Sequence, residues 1–255
     1  MSDFKDKVAF VTGATAGIGR GIAVAFAKRG ATVVVVGRNE KEGRDVLDMV
    51  HAAGSEGLFL KADISHEREV ADAIDETISR YGRLDCAVNN AAIDIAHPFV
   101  EFSAADYDDV FNPNVKGLLF CLKHEILAMR AKGGAIVNIT SVSAEMSDLG
   151  NALYNASKAA ARSLTRTAAH EAAQYKIRVN EVAPGPTKAP MLERFLEKAA
   201  AAGSPFNTES IVANIALRRL GTVEEMANAV LFLCSDASTF TTGALLTVDG
   251  GFLLG

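Results

Sequence analysis

The run from Lys7 to about Arg29 constrains the fold more than any other stretch. Lys7-Val8-Ala9-Phe10-Val11 is an apolar run that reads as a buried strand. Thr12-Gly13-Ala14-Thr15-Ala16-Gly17-Ile18-Gly19 follows, and then an apolar-periodic helix to about Arg29. Glycine between a strand and a helix lets the backbone turn tightly and approach a pyrophosphate. The helix N-terminus then offers free N–H groups and the positive end of its dipole. The spacing is G-x-x-x-G-x-G, not G-x-G-x-x-G, and no Gly-Lys-Ser/Thr follows, so this is not a P-loop. Such glycines can also serve packing alone; the strand before and the helix after favour the phosphate reading.

Strand and helix patterns alternate from there on, which argues for a parallel sheet covered on both faces. Further strands are expected at Thr32–Val36, Gly57–Ala62, Leu84–Asn89, Ala135–Ile139, Ile177–Ala183 and Ala244–Val248. Helices are expected at Glu40–Ala53, at about 66–81 with Ser65 as cap, at about 104–131, at 151–176, at Met191–Ala202 and at Val223–Leu233. The fold class is α/β: a Rossmann-like doubly wound parallel sheet of about seven strands with helices on both faces. Ligands in such sheets bind outside the strand C-terminal ends, near the switch point. With no repeat and no linker, residues 1–255 are expected to form a single dinucleotide-binding and catalytic domain. Its least regular part, about 186–215, is broken by Pro186, Pro190, Gly203 and Pro205. Leu192, Phe195, Leu196 and Phe206 give it an apolar face, and it is expected to be a substrate lid. Pro113 interrupts the 104–131 helix and places Asn114 at a defect.

A second constellation follows the fifth strand. Ser141 stands at the strand end, and thirteen residues on Tyr154-Asn155-Ala156-Ser157-Lys158 opens an Ala-rich helix. Tyr154 and Lys158, at i and i+4, share one helix face with Cβ atoms roughly 5–6 Å apart. An ammonium beside a phenol favours phenolate, lowering a pKa that is about 10 when unperturbed. A loop can bring the Ser141 hydroxyl beside that phenol, giving an acid/base with a hydroxyl to orient a carbonyl.

Composition narrows the function classes. The 255 residues carry a net charge of −5 and no basic block, so nothing electrostatic favours nucleic acid or an anionic membrane. No apolar run approaches the ~18–20 residues of a membrane span, and the polar MSDFKDK start is not expected to be a signal peptide. Cys86, Cys121 and Cys234 read as buried thiols of a reducing compartment, so a cytoplasmic location is expected. The five histidines lack metal-ligand spacing, and no metal is expected.

Taken together, these motifs resemble the short-chain dehydrogenase/reductase family in its single-domain form. The resemblance runs from Lys7 to the C-terminus. It takes in T-G-x-x-x-G-I-G at 12–19, Asp63, Asn89-Asn90-Ala91 and Asn114, then Ser141, Tyr154 with Lys158, Pro184-Gly185 and Val248-Asp249-Gly250-Gly251. It implies an NAD(P)-dependent oxidoreductase moving hydride between a nicotinamide cofactor and a carbonyl or secondary alcohol. By resemblance Tyr154 is the general acid or base, Lys158 lowers its pKa and holds the nicotinamide ribose, and Ser141 bonds the substrate oxygen. Asn114 would hold a water linking Lys158 to solvent. The cofactor would lie on Gly13, Thr15, Ala16, Gly17, Ile18 and Gly19, with Arg38, Asp63 and Ile64 toward the adenosine. Asn90, Ala91, Tyr154, Lys158, Pro184, Gly185 and Thr187 would complete its site. Ser141, Ser143, Asn151 and Tyr154 would meet the substrate; by position Ile93, Asp94, Glu145, Met146 and the lid would also line its pocket, where Glu145 and Asp94 either face inward and disfavour anionic substrates or are solvated loop charges.

Three positions depart from the family pattern. Ala92 replaces a usual glycine, tolerable if φ there is negative. Ala189 stands where a Thr often contacts the nicotinamide amide, so either Thr187 substitutes or that cofactor bond is missing. Pro113 precedes Asn114 where an ordinary residue is commoner. The second strand ends Val36-Gly37-Arg38, with glycine where an NAD-specific site puts Asp and a guanidinium following, so NADP is the expected cofactor, with NAD possible. Two alternatives stay open: a reductase of acyl-carrier-bound ketones, and a nucleotide-sensing protein without turnover. Small and apolar residues on the 151–176 helix (Ala159, Ala160, Leu164, Ala168, Ala169, Ala172), with the family's habit of pairing such helices, imply a homotetramer.

Overall fold

The computed structural model describes residues 3–147, 149–201 and 207–254. Seven parallel strands form one sheet in the order β3-β2-β1-β4-β5-β6-β7. They are β1 (Val8–Thr12), β2 (Thr32–Gly37), β3 (Gly57–Lys61), β4 (Cys86–Asn89), β5 (Gly134–Ile139), β6 (Ile177–Pro184) and β7 (Leu245–Val248). The central strands are continuous apolar runs because both of their faces are covered. Ala9, Val11, Val33, Val35, Val88 and Val137 belong to one core; the alternating Phe10, Val34, Val36, Ala87 and Ile136 belong to the other.

Helices α1 (Gly17–Lys28), α2 (Glu40–Ala52) and α9 (Val223–Cys234) cover the first face. Helices α3 (Glu67–Tyr81), α5 (Leu118–Met129) and α6 (Ala152–Ala172) cover the second. Among the described residues no helix is long and apolar enough to cross a membrane. Strand register aligns the C-terminal ends where chemistry is expected: Thr12 lies beside Val36 on one side and Asn89 on the other, and Ile139 beside Val182. Sequence order reverses between β1 and β4, and there the sheet opens its crevice.

The structure corrects several local expectations. Ser65 does not cap α3; His66 holds that position without a side-chain bond. The Ser65 amide and hydroxyl instead both donate to Asp63 Oδ1, at 3.0 and 2.7 Å. The 104–131 helix is two helices, α4 (Ala104–Phe111) and α5, joined by a π-helical turn at Asn112–Gly117. Pro113 inside that turn has no N–H to give, and the ladder widens around it. The turn brings Gly117 against Ile64, whose side chain would sit 2.9 Å from an added Cβ. Between 184 and 220, helix α7 (Pro190–Ala201) is joined by α8 (Thr208–Ala213), started by an Asn207–Ser210 capping box that the hydrophobic pattern alone does not reveal. The parts of the expected lid at Ala202, Gly203, Pro205 and Phe206 lie outside the described residues. Ala92 is not among the described non-glycine residues with positive φ, so its side chain meets no left-handed strain.

Candidate active site

A cavity of about 690 Å3 opens along the C-terminal edge of the sheet at the β1/β4 reversal. Gly13, Thr15, Ala16, Gly17 and Ile18 line one end. Gly13 and Gly17 sit at φ +60° and +54°, a backbone region that glycine enters freely. The first turn of α1 receives no side-chain cap from Ala16. Gly19 lies beneath the loop and not on the cavity wall: its Cβ would fall 2.3 Å from Gly13 O and 2.4 Å from Asn90 Nδ2. Asn90 ties loop and strand together, with Nδ2 donating to Gly13 O at 3.0 Å. The Asn90 amide donates to Thr12 Oγ1 at 3.1 Å, and the Ala91 amide to the same oxygen at 3.3 Å.

Arg38 and Asp63 meet at the same end, Arg38 Nη1 lying 3.5 Å from Asp63 Oδ2. The Arg38 side chain is 67% exposed, which leaves its guanidinium open to a ligand. Burial raises the Asp63 carboxyl, yet the hydroxyl and amide of Ser65 and then the Arg38 charge outweigh it, and the net shift is downward. An added Cβ at Gly37 would stand 2.6 Å from Thr15 Cγ2. A carboxylate at that strand end therefore requires Thr15 to move.

The other end gathers Ser141, Ser143, Asn151, Tyr154 and Lys158. Ser141 is nine-tenths buried, and its Oγ accepts from the Ser143 amide at 3.1 Å. Lys158 is 4% exposed; its Nζ donates to Ile139 O at 3.0 Å and lies 5.4 Å from the centroid of the Tyr154 ring. Burial pushes the Lys158 ammonium down to a pKa of about 8, the Asp94 charge opposing. The Tyr154 hydroxyl points toward α7, 3.9 Å from Met191 Sδ. Pro184, Gly185, Thr187, Ala189, Met191, Leu192 and Phe195 form the opposite wall. Thr187 is buried and spends its hydroxyl on Gly185 O at 2.9 Å, so its oxygen faces the cavity already engaged as a donor.

Asn114, Glu145 and Met146 are not on that wall. Asn114 lies one layer behind: its Oδ1 accepts from the Ile93 amide at 2.9 Å, and its Nδ2 donates to Ile93 O at 2.9 Å and to Ser157 Oγ at 3.0 Å. It thus clamps the segment after β4 to α6. Glu145 turns away to pair with Arg162 at 2.8 Å. Asp94 does line the cavity. Among the described residues no group of three or more His, Cys, Asp or Glu side chains is placed to hold a metal ion. Val36, Asn39, Ala62 and Met191 also line the cavity, although no sequence motif marks them; the first three follow from the rule that strand C-terminal ends face the ligand.

Comparison with known proteins agrees with this geometry. A family model described as enoyl-(acyl carrier protein) reductase matches residues 13–253. A 3beta-hydroxysteroid dehydrogenase from Mediterraneibacter gnavus is 37% identical, over 99% of this chain and 96% of its own. The short chain dehydrogenase/reductase astE of Aspergillus oryzae is 40% identical, over 97% and 95%. The chain belongs to the short-chain dehydrogenase/reductase family. The crystal structure of levodione reductase superposes with a TM-score of 0.94 at 31% identity, covering 97% of this chain and 98% of the other. This short-chain dehydrogenase/reductase is an oxidoreductase that uses a nicotinamide cofactor on a carbonyl or secondary alcohol.

The cavity suits such a cofactor. A phosphate needs backbone at close approach, and Gly13 and Gly17 line the cavity at positive φ without side chains. Gly19→Ala tests that packing. Its methyl meets backbone oxygen and an anchored amide, so overpacking should cost about 1–3 kcal/mol. A lowered Tm together with weakened cofactor binding is expected; an unchanged dissociation constant would show that the loop does not need this glycine.

Proposed function

We propose that this chain is a single-domain, NADP(H)-preferring reductase or dehydrogenase of ketones and secondary alcohols, with Tyr154 as its acid/base. The observation that carries the reading is the Ser141–Tyr154–Lys158 group at one end of the cavity that holds the glycine loop at the other. When bound, the nicotinamide supplies or takes the hydride. Ser141 offers its hydroxyl to the substrate oxygen, and Tyr154 gives the proton to that oxygen in reduction or takes it in oxidation. Lys158 sets the Tyr154 proton affinity and can reach the nicotinamide ribose. Asn114 holds the wall that carries Ile93, and in the family scheme it would hold a water behind Lys158. Gly13, Thr15, Ala16, Gly17, Ile18 and Gly19 would hold the pyrophosphate. Asp63 and Ile64 would serve the adenosine half, and Asn90, Ala91, Pro184, Gly185 and Thr187 the nicotinamide half. Ser143 and Asn151 would help orient the substrate. Residues about 186–215 would act as its lid, with Met191 reaching toward the Tyr154 hydroxyl.

Arg38 supports NADP over NAD. Its planar fork matches a phosphate, and Gly37 puts no competing carboxylate at the strand end. Ala16 leaves the glycine loop without a helping cation, so Arg38 acts largely alone. A charge-assisted bond is worth about 1.5–3 kcal/mol, a preference of roughly ten- to a hundredfold. Reduced-nicotinamide absorbance with each cofactor gives the two kcat/KM values. The NADP advantage is expected in the parent and lost in Arg38→Ala; equal values in the parent would overturn this part of the reading.

The name of one relative, a 3-oxoacyl-[acyl-carrier-protein] reductase of Thermotoga maritima that is 36% identical, favours one second reading, a reductase of carrier-bound acyl ketones. The net charge of −5 gives an acidic carrier no general attraction. A homotetramer is supported by apolar surface at Tyr107, Leu119 and Leu127 on α4 and α5, and at Phe232, Phe240 and Leu245 near the β7 edge. Ala169 and Ala172 of the expected helix stripe are spent on the chain's own core and Leu164 and Ala168 pack partly against it, leaving Ala159 and Ala160. Three buried free thiols, Cys86, Cys121 and Cys234, support a reducing, cytoplasmic setting.

A further inference from the structure

We propose that Arg162 is a positioning residue that pins the turn after β5 to α6 through Glu145, and so keeps the Ser141 hydroxyl beside Tyr154. The proposal rests on the roles given above to Ser141 and Tyr154. Tyr154, Lys158 and Arg162 follow one another at intervals of four along α6 and share one helix face. At the first level of attachment Lys158 Nζ holds Ile139 O, the last carbonyl of β5. One turn further on, Arg162 Nη2 donates to Glu145 Oε1 at 2.8 Å, while its Nε lies 3.1 Å from Glu181 Oε1 on β6. Between these anchors the chain makes a single 3-10 turn, Val142–Ala144, that begins on Ser141.

The two carboxylates differ in kind. The Glu181 side chain is 3% exposed and lies within the sheet, where burial raises its carboxyl and outweighs the pull of Thr140 and Arg162. The Glu145 side chain is 40% exposed and belongs to the turn. The buried carboxylate holds the guanidinium by charge, without a hydrogen bond to its Nε, and the guanidinium bonds the turn through Glu145. An arginine can serve both edges at once because its fork is planar and rigid, which a lysine cannot. The turn's own bonds, Ala144 N to Ser141 O at 3.1 Å and Glu145 N to Val142 O at 2.9 Å, hold its shape but not its place. Asn155 Nδ2 also reaches Met146 O, at a long 3.4 Å.

The rival is that Arg162 merely neutralises buried Glu181. Variants that separate its two partners decide between them. Glu145→Ala cuts the turn loose and leaves the Arg162–Glu181 pair intact. An exposed pair contributes little, so Tm should move by no more than about 4 °C. Amide hydrogen exchange at Ala144 should rise roughly fivefold, and kcat/KM for a ketone with NADPH should fall by a similar factor, with the NADPH dissociation constant unchanged. Arg162→Met should lower Tm further, because it strands the Glu181 carboxylate. The double variant Arg162→Met/Glu181→Gln should regain Tm yet keep both the faster exchange and the lower kcat/KM. Unchanged exchange in Glu145→Ala, or kcat/KM regained with Tm in the double variant, would overturn the proposal. A parent that turns over no ketone or alcohol would defeat the roles of Ser141 and Tyr154, whereas the exchange alone would still decide the tether.

Discussion

Tyr154→Phe is expected to lower kcat by roughly 10²- to 10⁴-fold, the usual worth of one positioned acid/base. The substitution removes the phenolic oxygen and almost no volume. The ring keeps its place over Lys158, and the glycine loop and Arg38 at the other end of the cavity are untouched. The cofactor dissociation constant should therefore stay within about twofold of the parent. KM should change little, because the missing interaction acts on the transferring proton and not on the bound ground state. The variant also gives up the weak reach of the hydroxyl to Met191 Sδ, which is too long to hold α7 in place. Near-normal kcat in the Phe variant would remove Tyr154 from the chemistry; a collapse accompanied by failure to bind cofactor would point to a misplaced helix.

Lys158→Met should abolish turnover to the same degree and, against intuition, leave the protein at least as stable at neutral pH. The ammonium is buried, and a pKa depressed from the ordinary 10.5 to about 8 means that folding costs about 3 kcal/mol when the group is charged. The sign follows from proton counts. Below pH about 8 the group is protonated in both folded and unfolded chains, and the cost is complete. Between about 8 and 10.5 the unfolded chain binds more protons, so stability rises with pH. Above that window both forms are neutral and the cost is gone. Methionine fills the same space without a charge, forgoing the charge-assisted bond to Ile139 O, worth about 1.5–3 kcal/mol. Urea unfolding at pH 7 should therefore show Lys158→Met equal to the parent or up to about 1.5 kcal/mol more stable. The parent alone should gain stability between pH 8 and 10.5. A clearly destabilised variant at pH 7, or a parent with no gain across that window, would contradict this picture of a strained, functional lysine.

The fold was legible because a doubly covered sheet leaves a plain trace. Each strand is a short apolar run in which consecutive residues enter opposite cores, as Phe10 and Val11 do, and each helix shows one buried stripe. The ends of elements were less legible, since they depend on which polar group wins a local competition. Ser65 was a fair candidate to cap α3 until Asp63 took both its hydroxyl and its amide. A proline at 113 announced a distortion without specifying a π-helical turn, whose form depends on how Ile64 packs against Gly117.

The Ser141, Tyr154 and Lys158 cluster could be anticipated because Tyr154 and Lys158 lie one turn apart on α6 and Ser141 follows β5 by two residues. What sequence could not supply was partnership at long range. Position alone left Glu145 either facing substrate or solvated, and Arg162, seventeen positions later, draws it off the cavity wall. Nothing in the sequence marks Glu125 as special, a single acidic residue on α5. Yet it is fully buried, takes a 2.9 Å bond from Asn89 Nδ2, and is lifted by burial to a pKa of about 7. Asn114 was rightly placed at a defect, but its bonds to Ile93 and Ser157 depend on two segments meeting that are far apart in sequence.

The measurement closest to the central claim follows the transferred hydrogen itself. Supplied with NADPH deuterated at the reacting nicotinamide carbon and a panel of ketones, sugars, steroids and β-keto esters, the enzyme should place one deuterium on the carbinol carbon of the alcohol formed. Mass spectrometry of the product reads this directly, and the incorporation should vanish together with turnover in Tyr154→Phe. Alcohol formed without deuterium at that carbon, or labelled alcohol formed equally well by Tyr154→Phe, would contradict the account.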